Sequence, residues 1–241
     1  MLANHLQAVY RYLHRNEARR SDMATKHAAT LSDQQFKVLL KRVTETAHRP
    51  LVDRAAFLLS FTAGLRVQEI AGLEWKRHIL GPDGKNFRTE TFNIPGSKGR
   101  IKRVQYPVLF VSSDIGKYGS ERTLRMAPML VEALTALMDE GGMSHKWVLP
   151  SGRNGSSQDL KRRAHALAMR LNRTYDRMGF ENCSSHSGRR TFITNSARSA
   201  NLVGCSLADV QSMAGHKQLT TTQMYIDVTP NQADLIGMLY K

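Results

Sequence analysis

The feature that most constrains this chain is a change of period. On both sides of the stretch from Trp75 to about Pro128, apolar residues recur every three or four positions, the spacing of a helix with one buried face. Within that stretch the spacing shortens, and turn residues punctuate it at Gly81-Pro82-Asp83-Gly84. One block of short strands set into a helical chain predicts a mainly α fold with a small antiparallel β-sheet. With 241 residues, 41% of them apolar, there is material for one substantial core, or for one domain and a small appendage.

Helix boundaries are written in the chain. Ser32 is placed to cap a helix, with Gln35 three positions later and Phe36, Leu39, Leu40 and Val43 on one face. Pro50 interrupts the pattern, and a more apolar helix follows from Leu51 to Gly64 through Ala55, Leu58, Leu59 and Thr62. Gly64 permits a sharp turn, which sets Arg66 at the junction with the next helix, started by Val67, Ile70 and Ala71. Strands are expected at Thr89 to Pro95, Arg103 to Val111 and Arg122 to Ala127. Leu130, Ala133, Leu134 and Leu137 restore the helical period, which Gly141-Gly142 ends. A loop from Leu149 to Gln158 precedes a helix from Asp159 to about Met178, and Ser206 caps a short helix that Gly215 terminates.

Residues 1–28 stand apart. Leu2, Leu6, Val9, Tyr10 and Leu13 fit one short helix followed by a polar linker, in which Arg11, Arg15, Arg19 and Arg20 form either a nucleic-acid contact or a solvated face. The expected division is therefore 1–28 as helix and linker and 29–241 as the main domain.

Charge narrows the class of partner. Lys and Arg number 35 against 20 Asp and Glu, a formal net charge of +15, with a pI of about 10.2. A solvated surface needs charge, but not this much of one sign, so the expected partner is rich in phosphate. Lys161, Arg162, Arg163, Arg170, Arg173 and Arg177 occupy much of the helix opposite its apolar side, countered there only by Asp159 and Asp176, and predict a DNA-facing helix. No apolar run approaches the ~18 residues of a membrane span, and neither terminus carries a lipidation pattern or a signal peptide, so no membrane partner is expected. Cys183 and Cys205 have neither zinc spacing nor a disulfide framework, and read as buried thiols in a reducing compartment, hence a cytoplasmic protein.

Against that background several groups occur in order: Arg66 with Glu69, a lysine in the sheet region, His186-Ser187-Gly188-Arg189, His216 and Tyr225. Alone, each has a mundane reading as a cap or a packing residue. Together they suit phosphodiester chemistry. Two arginines can grip the non-bridging oxygens of a phosphate, while a tyrosine, whose free pKa is about 10, needs such a field to act as a nucleophile. Positioning and fixed cations can take the place of a metal, and no carboxylate cluster suited to two metals stands out.

The set resembles the tyrosine recombinase (phage integrase) family. Thr62-Ala63-Gly64-Leu65-Arg66-Val67-Gln68-Glu69-Ile70 is similar to its first arginine box, His186-Ser187-Gly188-Arg189-Arg190-Thr191-Phe192 to its His-x-x-Arg box, and Gly215-His216 through Tyr225 to its final segment. The resemblance covers roughly residues 30 to 230 and implies that family's catalytic-domain fold. It also implies Tyr225 as nucleophile, forming a 3′-phosphotyrosyl bond without metal, ATP or other cofactor. Arg66, His186, Arg189 and His216 would hold the phosphate, Glu69 would orient its neighbours, and a lysine would protonate the leaving 5′ oxygen. Lys117 is preferred for that role because Met126-Ala127-Pro128 and a helix follow it, while Lys98 remains the alternative, with its more usual distance from Arg66.

Arg100, Lys102, Arg162, Arg163, Arg170, Arg173 and Arg190 are the expected DNA contacts. Arg190 stands where many members have histidine, and residues 1–28 do not amount to the helical DNA-clamping domain usual before the catalytic part. Partners implied are double-stranded DNA, a homotetramer on DNA with exchange of the C-terminal segment, and accessory DNA-bending proteins. The setting would be a bacterial nucleoid or a phage-infected cell. A type IB-like topoisomerase and a non-catalytic DNA-binding regulator are the rival readings.

Overall fold

Ser32 makes the reciprocal cap its sequence predicts: its hydroxyl accepts from the Gln35 amide at 3.2 Å, and the Gln35 side chain accepts from the Ser32 amide at 2.8 Å. Helix α1, Asp33–Thr46, starts there and buries Leu39, Leu40 and Val43. The computed structural model describes residues 28–95, 100–151 and 159–225. The helix expected near the N-terminus with its arginines, Lys98, and the residues from 226 on lie outside the described residues.

Helix α2, Pro50–Ala63, is the centre of the core. Ala55, Ala56, Phe57, Leu58 and Leu59 are all fully buried, and each large side chain so removed from water contributes about 1.5–3 kcal/mol. Proline sits in its first turn, where no amide bond is lost, and Gly64 ends it in the left-handed conformation at φ 62. Helix α3, Val67–Gly72, leaves immediately from Arg66.

The sheet has the order β1 (Thr89–Pro95), β2 (Ile101–Val111), β3 (Arg122–Arg125), antiparallel throughout. The long β2 is shared: its residues 101 to 107 pair with β1 and 108 to 111 with β3. Its first half is mostly exposed, whereas Val108, Leu109 and Val111 enter the core. Before the sheet, where strand spacing is expected to begin, Trp75–Ile79 forms a single π-helical turn. Buried His78 accounts for its anchoring: Nδ1 accepts from the Glu74 amide at 2.8 Å and Nε2 faces the Ser112 hydroxyl at 2.8 Å. An amide can only donate, so the ring proton is on Nε2 and points at Ser112. Helix α4, Pro128–Asp139, then packs on α2.

Helix α5, Leu160–Arg177, corrects the charge reading. Arg163 is 1% exposed. Its guanidinium donates to the carbonyl of Ala71 through Nε at 3.1 Å and Nη2 at 2.6 Å, and to that of Leu149 at 3.2 Å. It also lies 4.0 Å from the Trp147 ring. The last turn of α3 leaves carbonyls without intrahelical partners, and Arg163 fills that need, so it is unavailable to DNA. Arg170 is not a free cation either, because buried Asp53 of α2 pairs with it. Arg162 and Arg173 stay exposed as expected.

Helices α6 (Ser187–Ser199), α7 (Leu207–Ala214) and α8 (Leu219–Gln223) complete the described fold. Cys183 is half-buried, and Cys205, expected to be buried, is exposed in the turn before α7. No helix among the described residues is long and apolar enough to cross a membrane.

Candidate active site

The αL turn at Gly64 throws Arg66 out of the core at the head of α3. Its amide donates to Glu69 Oε2 at 2.8 Å and its Nη1 to Oε1 at 3.0 Å. Glu69 is fully buried, so Arg66 is held from below and its side chain keeps 19% of its surface open. Burial pushes the Glu69 carboxyl up, but hydrogen bonds and charge from Arg122 and then Arg66 outweigh it and hold it below the usual range, as a carboxylate.

Arg189 comes from the first turn of α6. Gly188 lets that helix close on α2, since a Cβ there would lie 2.4 Å from Ser60 Oγ. Buried Arg189 donates through Nη1 to the Gly64 carbonyl at 2.5 Å, and through Nη2 to the Ala214 carbonyl at 2.7 Å and His216 Nε2 at 2.8 Å. It therefore ties the turn that presents Arg66 to the end of α7.

A guanidinium cannot accept, so Nε2 of His216 is the acceptor in that contact. The proton is then on Nδ1, which donates to buried Thr222 Oγ1 at 2.9 Å. Burial first, then Arg189 and Arg66, lower its pKa to about 4, and the ring is neutral at pH 7. Both nitrogens are engaged, which makes His216 an orienting group in this arrangement. Tyr225 stacks on it with ring centroids 5.6 Å apart, and Arg190 lies 5.6 Å from the Tyr225 ring on its own account. Helix α8 ends at Gln223, so Tyr225 sits just beyond it, half-buried, its carbonyl accepting from Thr194.

His186 precedes α6 and remains accessible; partial burial and the charges of Arg189, Arg66 and Lys117 lower its pKa. Lys117 starts a 3-10 turn in the β2–β3 connection. Arg66, Lys117, His186, Arg189, His216 and Tyr225 line one open cleft of about 760 Å³. Arg66 and Tyr225, 159 positions apart in the chain, thus share one surface, which the order of motifs alone does not require.

Of the other expected residues, Arg100 and Lys102 are exposed near the β1–β2 turn, and Lys98 lies outside the described residues. Two members of the site were not singled out from the sequence. Thr222 is one, the last of three consecutive threonines in α8. Arg122 is the other: it binds Glu69 through Nη1 at 3.2 Å and Nη2 at 2.8 Å. The signal for Arg122 was its phase, because strand alternation puts it on the same buried face as Leu124.

Mainly helical with this three-stranded sheet, and with arginines, histidines and a tyrosine on one cleft, the molecule has the form of a tyrosine recombinase catalytic domain. Residues 29–232 match the model of the phage integrase family, and the chain belongs to that family. It is 26% identical over 195 residues to the tyrosine recombinase XerC of Pelobacter propionicus, covering 81% of this chain and 54% of that protein. To the tyrosine recombinase XerD of Vibrio cholerae it is 24% identical, over 92% of this chain and 68% of the relative. The chain thus spans about half the length of the XerC relative. The crystal structure of XerA recombinase shares the fold with a TM-score of 0.59 at 17% identity, covering 89% of this chain and 64% of that one. The Tn1549 transposon integrase, solved in complex with a circular intermediate DNA, does so with a TM-score of 0.57 at 17% identity over 89% of this chain and 67% of that one.

Proposed function

We propose that this protein is a site-specific DNA recombinase that cuts and rejoins strands through a phosphotyrosyl intermediate. The Tyr225 oxygen attacks a backbone phosphorus, its proton leaves to solvent or a neighbouring base, and the bond to the 5′ oxygen breaks. The products are a 3′-phosphotyrosyl bond and a 5′-hydroxyl, the latter protonated by Lys117. Arg66 and Arg189 carry the charge that builds on the non-bridging oxygens, with His186 as a further donor at the mouth of the cleft. His216 acts by orienting Arg189 and supporting the Tyr225 ring. The energy of the broken phosphodiester is kept in the new ester, so the reverse attack by a 5′-hydroxyl rejoins DNA without ATP. The observation that carries this reading is the convergence of Arg66, Lys117, His186, Arg189, His216 and Tyr225 on one cleft in a member of this family.

Exposed Arg100, Lys102, Arg162, Arg173 and half-exposed Arg190 are the proposed contacts to double-stranded DNA. Assembly as a tetramer on DNA, with exchange of the segment after Tyr225, belongs to the same proposal.

The test is a nicked suicide duplex built from the DNA flanking the chain's own gene, incubated without Mg²⁺ and resolved on a denaturing gel. Wild type is expected to give a covalent protein–DNA adduct, and Tyr225→Phe none. Absence of the wild-type adduct rejects the enzyme in favour of a DNA-binding regulator, and relaxation of supercoiled plasmid by monomer identifies a topoisomerase instead. Lys117→Ala is expected to abolish cleavage and Lys98→Ala to spare it; the opposite pattern moves the acid to Lys98.

A further inference from the structure

We propose that Arg122 is a positioning residue of the cleft, the group that aims Arg66 at the phosphate and holds three separate segments in register. This rests on the recombinase reading above.

Arg122 opens β3, five positions after Lys117, and only 5% of its side-chain surface is exposed. It does not line the cleft, so it acts through other groups. Its fork closes on both oxygens of fully buried Glu69, while Nε donates to the Met213 carbonyl at the end of α7 at 2.9 Å. Gly215 lies directly against the guanidinium: a Cβ on that glycine would be 2.8 Å from Arg122 Nη1. The head of α3, the strand after the Lys117 turn, and the stretch leading into His216 therefore meet at one side chain.

The electrostatics explain why a second arginine is needed. Glu69 alone with Arg66 would form a neutral pair, with its carboxylate free to draw the Arg66 fork inward. Here each oxygen of Glu69 takes one bond from Arg66 and one from Arg122, so its acceptor sites are filled. Arg66 commits only Nη1 to it, and Nη2 makes just a long 3.4 Å contact to the Gly215 carbonyl. That leaves Arg66 with donors for a phosphate oxygen, and three guanidinium charges, with Arg189, surrounding one carboxylate. Lys117 gains its footing from the same anchor. The turn that bears it is too tight for a side chain at Gly116, where a Cβ would lie 2.0 Å from the Ser120 carbonyl, and Arg122 pins its far end.

The experiment compares Arg122→Met and Arg122→Lys with wild type on the suicide duplex at saturating protein. Each is run on an ordinary scissile phosphate and on the two methylphosphonate diastereomers, which replace one charged non-bridging oxygen by methyl. Duplex affinity and near-ultraviolet circular dichroism are measured in parallel. Displacing a clamp by about an ångström costs on the order of 100-fold in rate, so Arg122→Met is expected to cleave ~100-fold slower with affinity within ~3-fold of wild type. Arg122→Lys retains the charge without the fork and is expected to lose ~10-fold. On the diastereomer lacking the oxygen that Arg66 grips, the variant-to-wild-type ratio should rise toward unity. Should Arg122→Met fail to fold, Arg122→Lys carries the comparison. Folded variants that cleave at the wild-type rate overturn the inference, as does an equal defect on all three substrates, which marks a general scaffold role. Failure of wild type to form any adduct strikes the recombinase reading itself, a result separable from either of these.

Discussion

Gly64→Ala is the substitution whose cost can be worked out most fully. Gly64 has φ 62, and an added Cβ would lie 2.2, 2.7 and 3.0 Å from Cδ1, Cε1 and Cγ of Phe192. The left-handed backbone costs a residue with a Cβ about 1–2 kcal/mol. Forcing the Phe192 ring aside is overpacking, worth a further ~1–3 kcal/mol. The expected loss is therefore about 2–5 kcal/mol. Gly84→Ala isolates the first part, because Gly84 has φ 64 but nothing within 4 Å of its Cβ; it should cost only ~1–2 kcal/mol. Urea unfolding at 25 °C reads both, and with a slope near 3 kcal/mol per molar the two midpoints should separate by up to ~1 M. Gly64→Ala combined with Phe192→Ala should lose less than the sum of the two single changes, since the clash is shared. Equal midpoints for Gly64→Ala and Gly84→Ala would refute the reasoning. Because the Gly64 carbonyl accepts from Arg189, Gly64→Ala should also slow cleavage while Gly84→Ala does not.

Two further tests follow from buried charge and buried histidine. Arg163→Ala leaves the Ala71 and Leu149 carbonyls without their donor, at ~1–3 kcal/mol for each stranded group, yet it should leave the salt dependence of DNA binding unchanged; Arg162→Ala should spare stability and reduce the log–log salt slope by about 1. If Arg163→Ala alters the slope and not the unfolding midpoint, its assignment as a structural anchor is wrong. His78 and His216 both have pKa values of about 4 against an ordinary 6.5. Between those values the unfolded chain binds more protons than the folded one, so stability is level above pH 7 and falls as pH drops from 6.5 toward 4, by up to ~3 kcal/mol per histidine. His78→Gln should flatten that fall when urea midpoints are compared at pH 7 and pH 5, and an unchanged slope rules out His78 as a source.

The chain alone determined what depends on neighbours a few residues apart. The Ser32–Gln35 cap, the Pro50 start and Gly64 stop of α2, the antiparallel sheet and the Gly215 stop are local requirements of backbone geometry, and each stands where the residues place it. The residues that line the cleft were legible too, because Arg66, His186-x-x-Arg189, His216 and Tyr225 occur as compact motifs in a fixed order. Tertiary structure decided the rest, since an arginine's role depends on what faces it and not on its own type. Arg163 and Arg162 are adjacent cations on one helix; packing sends the first under Trp147 to two carbonyls and leaves the second in water. Arg122 reads as one more charge in a basic chain, and only the approach of Glu69 from 53 residues away turns it into the support of Arg66. Likewise His216 became an orienting neutral ring because both its nitrogens meet partners, Arg189 and Thr222, that only the fold brings to it.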